Sequence, residues 1–227
     1  MEKLFERIKQ IPVDAPIVPT GQAFRVKERD GDYFYFTTPY PDLRVKADWK
    51  SVTDPAAYEA YTPLKAGARF DKNAPPLDRD SNGHLRYSWK RNTKPLNIRD
   101  QRDLVAGRKI NESDSPFRIH DAQTGRAILA HGGSVAWNDY RKKWVMIFVE
   151  AEGKSSLLGD VWYAEADAPL GPWTRATKIA VHDKMSFYNP VHHAFFDQDG
   201  GKIIYFEGTY TYNFSNNPEN AVARYDY

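Results

Sequence analysis

Three observations predict an all-β fold of the propeller type, incomplete, with blades of four antiparallel strands. First, residues 134 to 181 hold four short runs rich in Val, Ile, Trp, Tyr and Phe: Ser134 to Asp139, Trp144 to Glu150, Asp160 to Ala166 and Trp173 to Ile179. Each run is bounded by turn residues, the pattern of consecutive strands. Second, the run Val145 to Val149 is apolar at every position, as in a strand covered on both faces. Third, the hairpin joining the first two runs recurs. It reads Glu28 to Asp32 before Tyr33, Asp80 to His84 before Leu85, and Asp197 to Gly201 before Ile203. With Tyr33, Leu85, Trp144 and Ile203 taken as equivalent, the intervals are 52, 59 and 59 residues. A period of this order marks a propeller whose loops are long. An ordinary β-sandwich also carries Asp-Gly hairpins, but here the four-strand unit recurs as well as its hairpin.

In chain order, Leu4, Phe5, Ile8 and Ile11 sit at helical spacing, yet Phe5 to Ile11 resembles Trp173 to Ile179. Residues 1–12 are therefore expected to be the outer strand of a truncated blade. Residues 13–65 form a blade with an inner strand near Gln22 to Lys27, the Tyr33 strand, and a third strand over Leu43 to Trp49. Asp54-Pro55 is a helix-start signal, so a short helix is expected within Ser51 to Tyr61. Residues 66–131 form the next blade, irregular over 62–82 and polar over 91–114, with strands at Phe117 to His120 and Ala127 to His131. Residues 132–181 are the complete blade, and 182–227 a truncated one. Both ends fall inside repeats, so the expectation is a fragment or an open arc, because a propeller closes by pairing its first and last blades.

Composition narrows the function. The 227 residues carry a net charge of +2 with acids and bases interspersed, which gives no electrostatic case for nucleic acid. No apolar run approaches the roughly 20 residues a membrane span needs. Cysteine is absent, which excludes disulfides and thiolate metal sites. No signal peptide stands in residues 1–12. Aromatic residues make up 14%, enough to pack sheets and leave rings for a binding surface. No His/Asp/Glu grouping has metal-ligand spacing, and neither a Gly-x-Ser-x-Gly elbow nor a phosphate loop occurs, so no cofactor is expected.

Trp162-Tyr-Ala-Glu-Ala-Asp-Ala-Pro-Leu-Gly-Pro-Trp173, following the strand Lys143 to Glu150, resembles the repeat unit of five-bladed propeller glycoside hydrolases, families 43, 32, 62 and 117. The likeness covers one blade strongly and the other repeats weakly. Its Gly-Pro-Trp turn is a packing feature and speaks for the fold alone. The resemblance implies a central funnel lined by inner strands, with the substrate met where those strands begin and where second strands pass to third. It also implies a secreted or periplasmic protein acting on an oligo- or polysaccharide by acid/base hydrolysis. Non-catalytic binding of glycans or protein partners through the same funnel is the alternative.

On that geometry the candidate catalytic residues are Glu207, His192 and Glu150. The candidate substrate contacts are Asn189, Tyr188, His131, Arg91, Tyr210 and Asn213, with Asn92, residues 151–156, His182-Asp183, His193 and Tyr212 on the same face. Rings stack on sugars, while amides, carboxylates and imidazoles bond to hydroxyls. Each has a plainer role: Glu150 and Glu207 as solvated strand ends, His192 as a packed histidine. His192 and His193, adjacent on one strand, should face opposite ways. Where the relatives carry a base aspartate at an inner-strand start, this chain reads Gln22-Ala23, Ser134-Val135 and Pro190-Val191-His192. Hydrolysis needs two carboxyl groups, so that departure weighs against retained catalysis.

Overall fold

The computed structural model describes residues 10–15, 17–37, 39–153, 157–181 and 186–211. The fold is mostly β, arranged in several sheets, which agrees with the all-β expectation. Two compact units make it up: Met1–Phe36 with Asp42–Leu104, and Thr37–Pro41 with Val105–Tyr227.

The first unit is one sheet in sequence order: β1 (Gln22–Glu28), β2 (Gly31–Thr37), β3 (Leu43–Lys46), β4 (Glu59–Thr62) and β5 (Ser88–Arg91). Strands β1 and β2 are joined by two residues, the tightest hairpin connection. Alternation divides the side chains. One face is apolar: Leu43, Val45 and Ala60 pack with Ile17 and Tyr58, and Phe34 and Phe36 close over them. The β3–β4 connection supplies part of that cover through α1 (Trp49–Val52) and a 3-10 turn at Pro55–Ala57. Asp48 and Asp54 cap these segments, accepting from the backbone N–H of Ser51 at 2.8 Å and of Ala56 at 3.0 Å. The Asp54-Pro55 signal thus opens a single turn, and β4 takes the last three residues of the span expected to be helical. Tyr61 pairs with Trp89 and tethers the chain extended there.

Two departures from the repeat reading occur between residues 85 and 106. The Leu85 segment does not begin a new sheet: its strand, β5, pairs antiparallel with β4 from Glu59↔Arg91 to Thr62↔Ser88. The polar stretch holds a helix, α2 (Ile98–Ala106), which buries Gln101 and Leu104. Asn97 caps it by accepting from the Asp100 N–H at 2.9 Å.

The second unit carries β6 (Phe117–Asp121), β7 (Ala130–Asn138), β8 (Lys143–Ala151), β9 (Leu158–Ala166) and β10 (Trp173–Ala180) in the order β6-β10-β9-β8-β7. Strands β7 to β10 are the antiparallel meander read from the sequence, and β6 adds to its outer edge parallel to β10. Trp173 of the Gly-Pro-Trp turn is wholly buried, with its indole N–H donating to the Pro169 carbonyl at 3.2 Å.

A second, two-stranded sheet, β11 (Ser186–His192) with β12 (Phe206–Thr211), packs on the β7–β10 sheet. Val145, Ile147 and Val161 meet Phe187, Ile204 and Phe206 in the seam. Three contacts show β11 running alongside β7 in the same direction. Asn189 lies beside Gly132, the His192 N–H donates to Ser134 Oγ at 2.7 Å, and further on Asn138 Nδ2 donates to the Gly201 carbonyl at 2.8 Å. The turn after β7 and the turn at 197–201 therefore lie side by side, tied also by Tyr140 N–H to Gly200 O at 2.6 Å. Residues 1–9 and 212–227, including the expected first outer strand and Asn213, lie outside the described residues, as do 154–156 and 182–185.

Candidate functional site

At the end of the second unit where β7 begins, two ladders break. Pairing of β7 with β8 shifts between Ala130↔Glu150 and Gly133↔Phe148, so His131 and Gly132 bulge outward. Pairing of β11 with β12 shifts between Tyr188↔Thr209 and Val191↔Glu207, leaving Asn189 and Pro190 opposite Gly208. Asn189 takes a left-handed φ of 49°, a conformation asparagine tolerates better than most residues. Gly208 faces the bulge, with Tyr188 O 3.4 Å and Pro190 Cα 3.5 Å from the position of a side-chain carbon. The two bulges meet: Asn189 Oδ1 lies 3.6 Å from the Cβ position of Gly132. Bulges re-aim side chains and concentrate at binding sites. Here they set the exposed Asn189 amide against Gly132, whose neighbour His131 is also exposed.

The remaining candidates distribute around this point. Tyr188 and Glu207 stand on the outer face of the β11–β12 hairpin, and Glu207 Oε1 lies 3.0 Å from His193 Nε2. Tyr210 pairs with Phe187, ring to ring at 5.1 Å, on the hairpin side that meets β8 and β9. His192 and His193 do face opposite ways. The His192 side chain has 0% exposure, and its Nε2–H donates to Asp197 Oδ1 at 2.8 Å. Its Nδ1 is buried with no hydrogen-bond partner among the described residues. A ring so enclosed packs the seam and presents no surface to a substrate.

Glu150 is also enclosed, at 1% exposure, on the opposite face of the β7–β10 sheet from the hairpin. Arg126 grips both its oxygens, through Nη1 to Oε1 and through Nη2 to Oε2 at 2.9 Å. The Trp162 indole N–H adds a bond to Oε2 at 3.0 Å. Beside it Asp160 pairs with Lys178 at 2.6 Å. Hydrogen bonding to Glu150 raises the Arg126 pKa above its ordinary value. Both oxygens of this carboxylate are engaged in hydrogen bonds, which suits a clamp rather than an acid.

Arg91 belongs to the first unit, on β5, 3.6 Å from Glu59. It ends a network that reading the sequence did not find. Arg44 donates to Glu59 at 2.9 Å and to Glu28 at 2.7 Å, lies between the Tyr33 and Trp89 rings at 4.3 and 4.2 Å, and Tyr35 donates to Glu28. The first unit holds a second overlooked group, Asp42 in the β2–β3 turn. Half-buried, it is pushed from 3.8 up to about 8 by desolvation, with no cation among the described residues to offset it. The turn Tyr40-Pro41-Asp42 joins a second strand to a third, the type of loop expected to carry function, and that position was its one signal. Among the described residues no group of three or more His, Asp or Glu is placed to hold a metal ion.

Neither a protein-family model nor a curated protein matches the chain.

Proposed function

We propose that this chain is part of a carbohydrate-active propeller related to the five-bladed glycoside hydrolases, acting outside the cytoplasm. It binds an oligo- or polysaccharide beside the bulges of β7 and β11. The observation that carries this reading is the meeting of the two bulges, which sets Asn189 against Gly132, the residue next to the exposed His131. An amide and an imidazole bond sugar hydroxyls, and the exposed Tyr188 ring, adjacent in sequence, offers an apolar face for stacking.

Binding is favoured over cleavage. Glycoside hydrolysis uses two carboxyl groups about 5 to 9.5 Å apart. Of the two carboxylates expected to serve, Glu150 has both oxygens engaged in the core, which leaves the exposed Glu207, paired with His193, as the one that can meet a ligand. Hydrolysis is the second reading, supported by the imidazole of His193 beside Glu207, a pair able to share a proton.

Affinity electrophoresis against soluble plant and algal polysaccharides tests both readings. Retardation of the wild-type chain, lost in Asn189→Ala, is the expected result. Migration unaffected by every polysaccharide would remove the proposal. Release of reducing sugar that disappears in Glu207→Gln would promote hydrolysis over binding.

A further inference from the structure

The Arg126–Glu150–Trp162 clamp lies just before the bulge in β7. After β6, the turn Asp121 to Gly125 is held by Asp121, which accepts from Gln123 N–H at 2.9 Å and Thr124 Oγ1 at 2.6 Å. The chain then pairs back along β6, where Asp121 N–H donates to Arg126 O at 2.8 Å and Ile128 N–H donates to Ile119 O at 2.9 Å. The next two residues pair with β8 instead: Ala151 N–H donates to Leu129 O at 2.8 Å and Ala130 pairs with Glu150. Residues 126 to 130 thus change backbone partner, from β6 to β8, between Ile128 and Leu129. Beside that change Arg126 adds a side-chain anchor through its fork on Glu150, and its guanidinium lies 5.9 Å from the Trp162 ring. Five residues on from Arg126 the backbone bulges at His131 and Gly132. Gly133 then re-enters the ladder so tightly that a side-chain carbon there would sit 2.4 Å from Ile147 O.

We infer that Arg126 and Glu150 are positioning residues for the saccharide site: their two-pronged ion pair anchors the chain where it changes partner from β6 to β8, and so sets where the His131–Gly132 bulge stands against Asn189. They touch no ligand themselves. The proposal rests on the saccharide reading for its consequence, while the positioning itself can be measured without a ligand. A fork from a planar guanidinium fixes direction as well as distance, which a single charge contact does not.

The test uses the full chain in three forms: wild type, Arg126→Ala, and the double variant Arg126→Ala/Glu150→Gln. Arg126→Ala strands a buried carboxylate and lowers the melting temperature. The double variant removes the stranded charge and recovers most of that loss, but restores no fork. Hydrogen exchange of the 129–135 peptide is read by mass spectrometry, alongside retardation by the polysaccharide that slows the wild type most. Positioning predicts that in the double variant this peptide still exchanges about tenfold faster than in the wild type, while β9 and β10 peptides are unchanged. Polysaccharide affinity stays about tenfold weaker despite the recovered melting temperature. Exchange at 129–135 and affinity that both return with stability would overturn the inference and leave the clamp a stabilising ion pair. A wild type that binds no polysaccharide, with exchange still accelerated in the double variant, would remove the saccharide reading and keep the positioning.

Discussion

Replacing Arg44 by alanine tests whether the five-stranded sheet of the first unit is held through its polar face. Strands β1, β3, β4 and β5 meet at this one cation through Glu28, Arg44, Glu59 and Trp89, and β2 contributes Tyr33 and Tyr35. The Arg44 side chain is only 10% exposed, whereas its acceptors Glu28 and Glu59 are 28% and 19% exposed. Breaking a buried pair by removing one partner costs roughly 3–5 kcal/mol. Water can reach both stranded carboxylates here, which sets the expectation at the low end, about 3 kcal/mol, with loss of ring contact included. For a chain of this size that lowers the melting temperature by about 6–12 °C, measurable by differential scanning calorimetry. Arg44→Lys keeps the charge but loses the planar fork and the stacking, so it should recover less than half of the loss. A drop under about 2 °C in Arg44→Ala would mean the network behaves like an exposed surface pair. A lysine variant as stable as the wild type would show that charge alone matters.

Two further outcomes follow from local geometry. Gly133→Ala forces a methyl against the Ile147 carbonyl and the Phe148 backbone, which cannot yield. It should cost about 1–3 kcal/mol by urea denaturation. Gly132→Ala, whose nearest neighbour is Asn189 Oδ1 at 3.6 Å, should leave stability almost unchanged while crowding the bulge site. The pH dependence of stability should carry the mark of Asp42. Its carboxyl is pushed up to about 8 by desolvation, so between about 4 and 8 the folded chain holds a proton that the unfolded chain releases. Wild-type stability therefore falls as pH rises through that window. Asp42→Asn should flatten this fall and exceed the wild type most clearly at pH 8 and above. Parallel curves for the two proteins would refute the assignment.

Local signals were strong where strands neighbour their partners in sequence. Strands β8 to β10 could be read almost residue by residue, because the Val, Ile and aromatic runs ended at Asn138-Asp139 and at Pro169 to Pro172. The start of β7 was misread: it begins at Ala130, so the strand expected over Ala127 to His131 runs on into the one expected from Ser134, with Gly132 and Gly133 inside it. The hairpin at Gly31 was legible for the same reason. Reading failed where tertiary partners decide. Helix α2 has only Ile98, Leu104 and Val105 as large apolar residues in nine positions, too few for a 3.6-residue stripe, and its burial of Gln101 depends on the Leu96 carbonyl, to which Gln101 donates at 3.2 Å. Strand β5 carries the same turn signal as the other repeats, and nothing in Leu85 to Trp89 indicates that it will extend an existing sheet. Among the site residues, Glu150 and Glu207 read alike as carboxylates ending apolar strands. One meets Arg126 from 24 positions away and the other reaches no further than His193. Such distant pairing has no signature in the strand that receives it.

The two bulges also bear on whether the irregularity is incidental. His131 and Asn189 are 58 residues apart, as are Gly132 and Pro190, while the hairpin residues Trp144 and Ile203 are 59 apart. The two ladders thus break at nearly the same distance before the turns at Asn138 and Gly200, although the sequences there, His-Gly and Asn-Pro, share nothing. A bulge costs ladder bonds, so two bulges set against one another, with Gly132 beside Asn189, point to a shared demand on β7 and β11. Glycine at 132 leaves room between them and Asn189 fills its margin, an arrangement that would suit the polar, hydroxyl-bearing ligand proposed above.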